Sequence, residues 1–409
     1  MISSKLANFE ELKYICVMLI DDKSFIKRHY QDLSRQIWRN RALILLGPRR
    51  AGKTTLLTNY LKTLPEGSYF LGDGGEFSLQ EIFSSRSLTK MRQSLPAGVK
   101  TLALDEAQQI PHIGESIKLL VDHESDLQII LTGSASFALA GQIGEPLVGR
   151  QITLSILPVA QMELAQNLTP IALRERLPDF LVYGAYPEVL TTPDLSGKKR
   201  ILQELVNSYL LKDILEFERV KNSRVIFRLL QLLAFQVSGQ VSLRELSNNL
   251  DLDYKTVDRY LDLLEKCFIV KRLGGFSRNL RKEIHKKAKY FFFDNGVMNA
   301  VTANFNDLSL RADVGQLWEN WLMMERFKRR MLLGEYANEY FWRTWDGQEV
   351  DLVEERDGKL YGFEFKYQKK ARPVAAWLEA YPGQASWTLV NRDNYLDFLG
   401  VTADAKGDQ

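Results

Sequence analysis

Residues 41 to 62 read RALILLGPRRAGKTTLLTNYLK. An apolar run that suits a buried strand enters a glycine-bounded loop, and a helix-forming stretch leaves it. Gly47, Gly52, Lys53 and Thr54 match G-x-x-x-x-G-K-[ST] in the strand-loop-helix setting that the motif requires. The physical reading is a phosphate cradle. Backbone N–H groups turn inward, the helix start adds its positive dipole end, Lys53 reaches the outer phosphates and the Thr54 hydroxyl is placed to ligate Mg2+. Pro48, Arg49, Arg50, Ala51 and Thr55 complete the expected ATP-binding loop. A basic turn that matches by accident is the competing reading, and the flanking elements argue against it.

A cradle alone hydrolyses nothing, so an acidic strand is expected downstream. TLALDEAQ supplies it: Leu102 and Leu104 suit a buried parallel strand, Asp105 holds Mg2+ through water, and Glu106 polarises the attacking water. In LQIILTGSAS, Thr132 or Ser134 is placed to hydrogen-bond the water or the terminal phosphate. Arg150, in LVGRQITLSILP, stands where an ATPase ring carries an arginine finger, and a surface arginine fits equally well. Gly184 to Pro187 in LPDFLVYGAYPEVL sets Tyr186 and Pro187 near the adenine, or else forms a loop between lid helices.

The chain has 409 residues, 45% of them hydrophobic, which suffices for two to four domains with ample core. Its two cysteines, Cys16 and Cys267, stand in apolar settings. They exclude a disulfide framework or a cysteine zinc site and read as core thiols. His29, His112, His123 and His285 lack metal-ligand spacing, and no G-x-S-x-G elbow occurs. YICVML is too short to span a bilayer and lacks a cleavage site, so a cytoplasmic protein without membrane partners is expected. A net charge of +3 is too small to imply nucleic acid by itself, so any basic surface must be local.

Changes of period suggest an α/β protein in five parts. These are a helical segment at 1–40, a P-loop ATPase core with a parallel sheet at 41–160, a helical lid at 161–220, a winged helix at 221–300 and a final α/β domain at 301–409. In VSLRELSNNLDLDYKTVDRYLDLLEKCFIVKRL, Leu243, Leu246 and Leu250 line one helix, and Val257, Tyr260, Leu261 and Leu264 line the next. A glycine turn, a basic loop and an aromatic strand follow, as in a winged helix. Lys271 to Lys289 holds eight Lys or Arg and one Glu. Lys255, Thr256 and Arg259 would face a groove while Arg278, Arg281, Lys282, Lys286 and Lys287 hold phosphates, DNA being favoured over RNA. A winged helix used only for protein packing is the alternative.

YFWRTWDGQEVDLVEERDGKLYGFEFKYQ alternates as two strands around an Asp-Gly turn. With Asp357 and Gly358 as the turn, Arg356 pairs with Lys359, Asp351 faces Glu364 and Glu349 faces Lys366. Opposed carboxylates destabilise a hairpin, so Asp351 and Glu364 need a cation, either a divalent metal or Lys366. The order D…E-x-K suits metal-dependent phosphodiester cleavage, with Glu319 as a third carboxylate from a helix. A solvated charged face closed by a Glu349–Lys366 pair fits the same residues.

The stretches GPRRAGKTT, LALDEAQ, LTGSAS, LVGRQITLSILP, YGAYPEVL, DYKTVDRYLDLLEKCFIVKRL, YFFFDNGV, GQLWENW and WRTWDGQEVDLV…FEFK occur in this order. Over nearly its whole length the chain thereby resembles the prokaryotic AAA+ superfamily ATPases that carry a C-terminal domain of unknown function. That resemblance implies an AAA+ core, a winged helix and a restriction-endonuclease-like domain. It puts Lys53, Thr54, Asp105 and Glu106 in ATP binding and hydrolysis, and Glu319, Asp351, Glu364 and Lys366 on the nuclease pattern. The expected function is a Mg2+-dependent ATPase acting on nucleic acid, with a homo-oligomer as the assembly an arginine finger would need. The alternative is an ATP-driven regulatory or defence switch whose last domain only docks a partner.

Overall fold

The computed structural model describes residues 26–134, 145–210, 223–277, 288–344, 347–368 and 371–401. They divide into two compact units, Arg28–Pro158 with Glu204–Phe293, and Val159–Gln203 with the residues from Asp294 on. The segment expected as a lid from 161 thus groups, as far as Gln203, with the C-terminal part of the chain. Of the expected N-terminal helical segment, the described part contains a single 3-10 turn, Leu33–Gln36, started by the Asp32 carboxylate accepting from Ser34 N–H. Among the described residues no helix is long and apolar enough to cross a membrane.

The first unit is organised by strands β1 (Ala42–Leu46), β2 (Tyr69–Asp73), β3 (Thr101–Asp105), β4 (Gln128–Gly133) and β5 (Gln151–Ser155). Their order is β2-β3-β4-β1-β5, and every neighbouring pair is parallel. A parallel sheet is covered on both faces, so its central strands are apolar at every position; all five residues of β1 are buried. Alternation then sorts the side chains. Ile44, Leu46, Leu102, Leu104 and Leu131 pack with Ile117 and Leu120 of the helix Ile113–His123. Leu43, Leu45, Ala103 and Ile130 pack with Leu56, Leu57 and Tyr60 of the helix Lys53–Leu61.

After Glu204 the same unit carries the helices Ser223–Phe235, Leu243–Leu250 and Tyr254–Lys266. Two are begun by side-chain caps, Ser242 accepting from Glu245 N–H and Asp253 from Thr256 N–H, each worth about 1 kcal/mol. Leu246, Leu250, Val257, Leu261, Leu264 and Cys267 are buried, as their spacing requires. Strands β6 (Gln240–Val241), β7 (Val270–Gly275) and β8 (Ala288–Phe292) follow, with β8 pairing antiparallel to both others.

In the second unit, β9 (Asn338–Arg343), β10 (Glu349–Arg356) and β11 (Lys359–Phe365) are antiparallel neighbours, and β12 (Ala385–Val390) joins β11 in parallel. Asp357 and Gly358 have φ of 51° and 71°, the conformation of a two-residue hairpin turn, and Arg356 pairs with Lys359. The helix Val314–Leu333 carries Arg326, whose guanidinium binds both oxygens of Glu354 at 2.7 and 2.9 Å. Arg330 lies 3.5 Å from the same carboxylate, which is 0% exposed. Burial pushes the Glu354 carboxyl up, but Arg326 and then Arg330 and Arg356 outweigh it and hold it below the usual range. A polar cluster joins the other helices: Asn299 donates to the carbonyls of Leu181 and Val182, Asn295 to those of Leu181 and Leu317, and Asn320 to Asn295 Oδ1.

Removing one partner of a buried ion pair leaves the other uncompensated, so Glu354→Ala should cost about 3–5 kcal/mol in urea unfolding. Because the folded pKa of Glu354 is depressed, its contribution is present above the unfolded carboxylate value and is lost as pH falls through the folded one. A wild-type acid profile unchanged in Glu354→Gln would refute this account.

Candidate functional site

The loop after β1 is held closed by its own lysine. Lys53, 5% exposed, donates from Nζ to the carbonyls of Gly47 at 3.0 Å and Pro48 at 2.9 Å. Gly52, φ 93°, caps the helix Lys53–Leu61 without a side chain. Gly47 must be glycine, since a Cβ there would lie 2.0 Å from the Ile156 carbonyl oxygen. Arg49 is half-buried and Thr55 exposed on the first helical turn. Arg50 adopts φ 61° and lies 3.7 Å from Glu204.

The acidic strand meets this loop through hydroxyl groups. Thr54 Oγ1 donates to Asp105 Oδ2 at 2.8 Å, and Thr132 Oγ1 donates to Asp105 Oδ1. Thr132 Oγ1 also accepts from Glu106 N–H at 3.0 Å. Thr132 is therefore the residue of its strand that touches both acidic residues, while Ser134, one residue past β4, is fully buried. Glu106 takes φ 47°, ψ 40°, a conformation rare outside glycine. Its carboxylate accepts from Gln108 Nε2 at 2.6 Å, a partner the pattern reading did not single out.

Arg150 does not join this cluster. It precedes β5, whose Gln151 pairs with Ala42 at the start of β1, so it stands at the sheet edge opposite the loop, roughly 15 Å away along the strand. There its Nε donates to Asp122 at 2.6 Å, and that contact holds the Asp122 carboxyl low. Pro187 belongs to the second unit, where it opens the short helix Pro187–Thr191. Tyr186 beside it is buried, and Ala185 N–H donates to Asp294 Oδ2 at 2.7 Å.

Lys255 and Arg259 are exposed on the helix Tyr254–Lys266, with Asp258 and Asp262 also on its outer side. Lys289, counted among the basic residues, is 1% exposed on β8 and adds nothing to the surface. Arg278, Arg281, Lys282, Lys286 and Lys287 lie outside the described residues, as do Cys16 and His285.

The second unit assembles the other acidic set. The β10–β11 ladder runs to Leu352↔Phe363, and one step beyond it come Asp351 and Glu364. β10 carries a register shift against β9 between Val350 and Val353, so Asp351 sits in a bulge of the kind that re-aims a side chain. Its Oδ2 accepts from Phe365 N–H at 2.8 Å. Lys366 Nζ stands 2.5 Å from Glu364 and 3.9 Å from Asp351, and Glu349 pairs with Arg343 at 3.2 Å. Asp351 and Glu364 are buried, not solvated, and Glu364 Oε2 has no hydrogen-bond partner. Burial, then Asp351, raises the Glu364 carboxyl. Burial lowers the Lys366 ammonium, but Asp351, Glu364 and Glu319 more than restore it. Among the described residues no group of three or more His, Cys, Asp or Glu is arranged to hold a metal ion.

Residues 39–165 match the sequence model of an AAA domain. Residues 174–308 and 314–382 match two domains of unknown function, DUF8612 and DUF4143. An uncharacterized protein of Mycobacterium tuberculosis is 27% identical over 86% of this chain and 75% of its own length. One from Methanocaldococcus jannaschii is 23% identical over 86% and 81%. The crystal structure of NtrX from Brucella abortus in complex with ATP overlays at 12% identity and a TM-score of 0.24, over 64% of this chain and 69% of that one, a likeness too low to carry an argument.

Gly47→Ala should lower the unfolding free energy by about 1–3 kcal/mol through forced overpacking, read as a fall in the urea midpoint; an unchanged midpoint would mean that the loop does not need this close approach. Strand order, loop geometry and the domain match agree, and the fold of residues 39–165 is that of a P-loop AAA core.

Proposed function

We propose that the protein is a Mg2+-dependent ATPase that acts on nucleic acid. The observation that carries the ATPase reading is the convergence of Lys53, Thr54, Asp105, Glu106 and Thr132 at the loop end of the sheet. Thr54 and Asp105 present hard oxygen donors 2.8 Å apart, which fits Mg2+. Bound there, the ion supplies charge neutralisation on the phosphates. Lys53 leaves the loop carbonyls for the outer phosphates, and the N–H groups of the loop receive the rest. Glu106, once it leaves Gln108, accepts the proton of the attacking water, while Thr132 keeps Asp105 and the Glu106 backbone in register. Arg150 acts, if on any nucleotide, on that of another copy, after exchange of its Asp122 partner for phosphate. This ties the finger role to a homo-oligomer.

Nucleic acid enters through two supports. The three helices and the β6–β8 sheet agree with a winged helix that exposes Lys255 and Arg259. The bulged strand with Asp351, Glu364 and Lys366 agrees with a phosphodiesterase of the restriction-endonuclease type, Glu319 standing near Lys366. The second reading, an ATP-driven switch with an inactive docking domain, is favoured by one observation: Lys366 already occupies the position beside the two carboxylates where a cation would sit.

Steady-state ATP hydrolysis with Mg2+, with and without single-stranded and duplex DNA and RNA, tests the reading against Lys53→Ala as background. Stimulation by one nucleic acid is expected, and Glu106→Gln should lower kcat by about 10²-fold or more with ATP still bound. Full turnover in Glu106→Gln would remove the assigned base, and turnover indifferent to every nucleic acid would leave the switch. Asp351→Ala should abolish metal-dependent nicking and spare ATP turnover; absence of nicking in the wild type would reduce the last domain to docking.

A further inference from the structure

Arg28 lies upstream of residue 39, where the AAA match begins, yet it reaches into the phosphate loop. The side chain is 7% exposed. One guanidinium nitrogen donates to the Ala51 carbonyl at 2.7 Å and the other to the Leu157 carbonyl at 2.7 Å. Leu157 follows β5, and the next residue back, Ile156, donates its N–H to the Leu46 carbonyl at 2.6 Å. One end of the fork therefore rests on the strand scaffold while the other grips the loop.

The consequence follows from peptide geometry. In a planar trans peptide the C=O and the next N–H point in opposite directions. Holding the Ala51 oxygen on a buried guanidinium therefore turns the Gly52 N–H away from it. Gly52 caps the helix Lys53–Leu61, and the first N–H groups of a helix have no intrahelical acceptor and form an anion site. Rotation of this one peptide would replace a donor by a carbonyl oxygen facing phosphate. Glycine at 52 offers little steric resistance to that rotation, so the restraint has to come from outside the loop. Arg is suited to it, because its rigid planar fork reaches two carbonyls at once where Lys offers a point charge.

We propose that Arg28 is a positioning residue of the nucleotide site, holding the Ala51–Gly52 peptide in the orientation that presents the Gly52 N–H to phosphate. The proposal rests on the ATP-binding reading of the loop. It makes the segment before the matched domain part of the nucleotide site.

The test compares the full-length protein with its Arg28→Ala and Arg28→Lys variants. Three quantities are measured: ATP affinity by calorimetry with Mg2+, amide hydrogen exchange of the loop without nucleotide, and the thermal midpoint. Arg28→Ala should weaken ATP binding about tenfold or more and raise KM in proportion, with kcat at saturation within about threefold. Loop exchange should rise in the nucleotide-free state, while strands away from the loop keep theirs. Arg28→Lys should fall between, and it carries the test if the alanine variant does not fold. ATP affinity and loop exchange unchanged in Arg28→Lys and Arg28→Ala would overturn the proposal. A general loss of midpoint and protection would also overturn it, in favour of a purely structural role. Failure of the wild type to bind ATP would instead sink the ATP reading, and the exchange measurement would still decide whether Arg28 holds the loop.

Discussion

The insertion of β4 between β1 and β3 is the constraint on which the meeting of the loop with the acidic strand depends. The loop leaves β1 and the acidic pair ends β3, so two strand spacings, roughly 10 Å, separate their backbones. No direct contact between the strands can close that gap. Thr54 closes it from the helix above, and Thr132 from the strand between. Both hydroxyls end on the same carboxylate, one on each of its oxygens. The arrangement is polar and partly open, with Thr54 exposed and Asp105 half-buried.

The second unit solves a different problem, that of burying charge. Its long helix sets Arg326 and Arg330 against Glu354, and Lys328 against Glu325, which also accepts from Gln161 N–H. Such pairs cost more to break than they contribute when intact. They fix orientation, because a shift of one residue along the helix would strand several charges. The amides of Asn295 and Asn299 act similarly on the carbonyls at the end of the helix Leu177–Tyr183, and Asn320 donates to Asn295 Oδ1. The bulge at Asp351 lies on the same strand as Glu354.

Much of this was legible in the chain, and the reasons differ by element. The phosphate loop was legible because it combines fixed residue types with a local strand-loop-helix setting. The hairpin register was legible because an Asp-Gly turn needs two positive φ values, from which the pairs can be counted outward. Thr132 and Ser134 could not be ranked, since both stand at the strand end and only the neighbouring strand distinguishes them. Whether the face carrying Asp351 and Glu364 is a solvated one or a closed one was left open by the sequence. Alternation within a strand tells which side chains share a face, but not whether a helix covers it. Gln108 and Arg28 carried no signal, because their partners are one glutamate oxygen and two backbone carbonyls.

Sequence by itself determined what local chemistry dictates: the glycine-bounded loop, the acidic strand end, the Asp-Gly hairpin and the apolar run that buries β1. Tertiary structure alone decided the strand order, and hence which hydroxyl bridges to Asp105. It also decided the bulge that turns Asp351, the ion Lys366 chooses, the edge of the sheet on which Arg150 stands and the grip of Arg28 on the loop. The physical reason is range. Turn, cap and periodicity are set by neighbours a few residues apart, whereas each of these contacts depends on where a distant part of the backbone comes to rest.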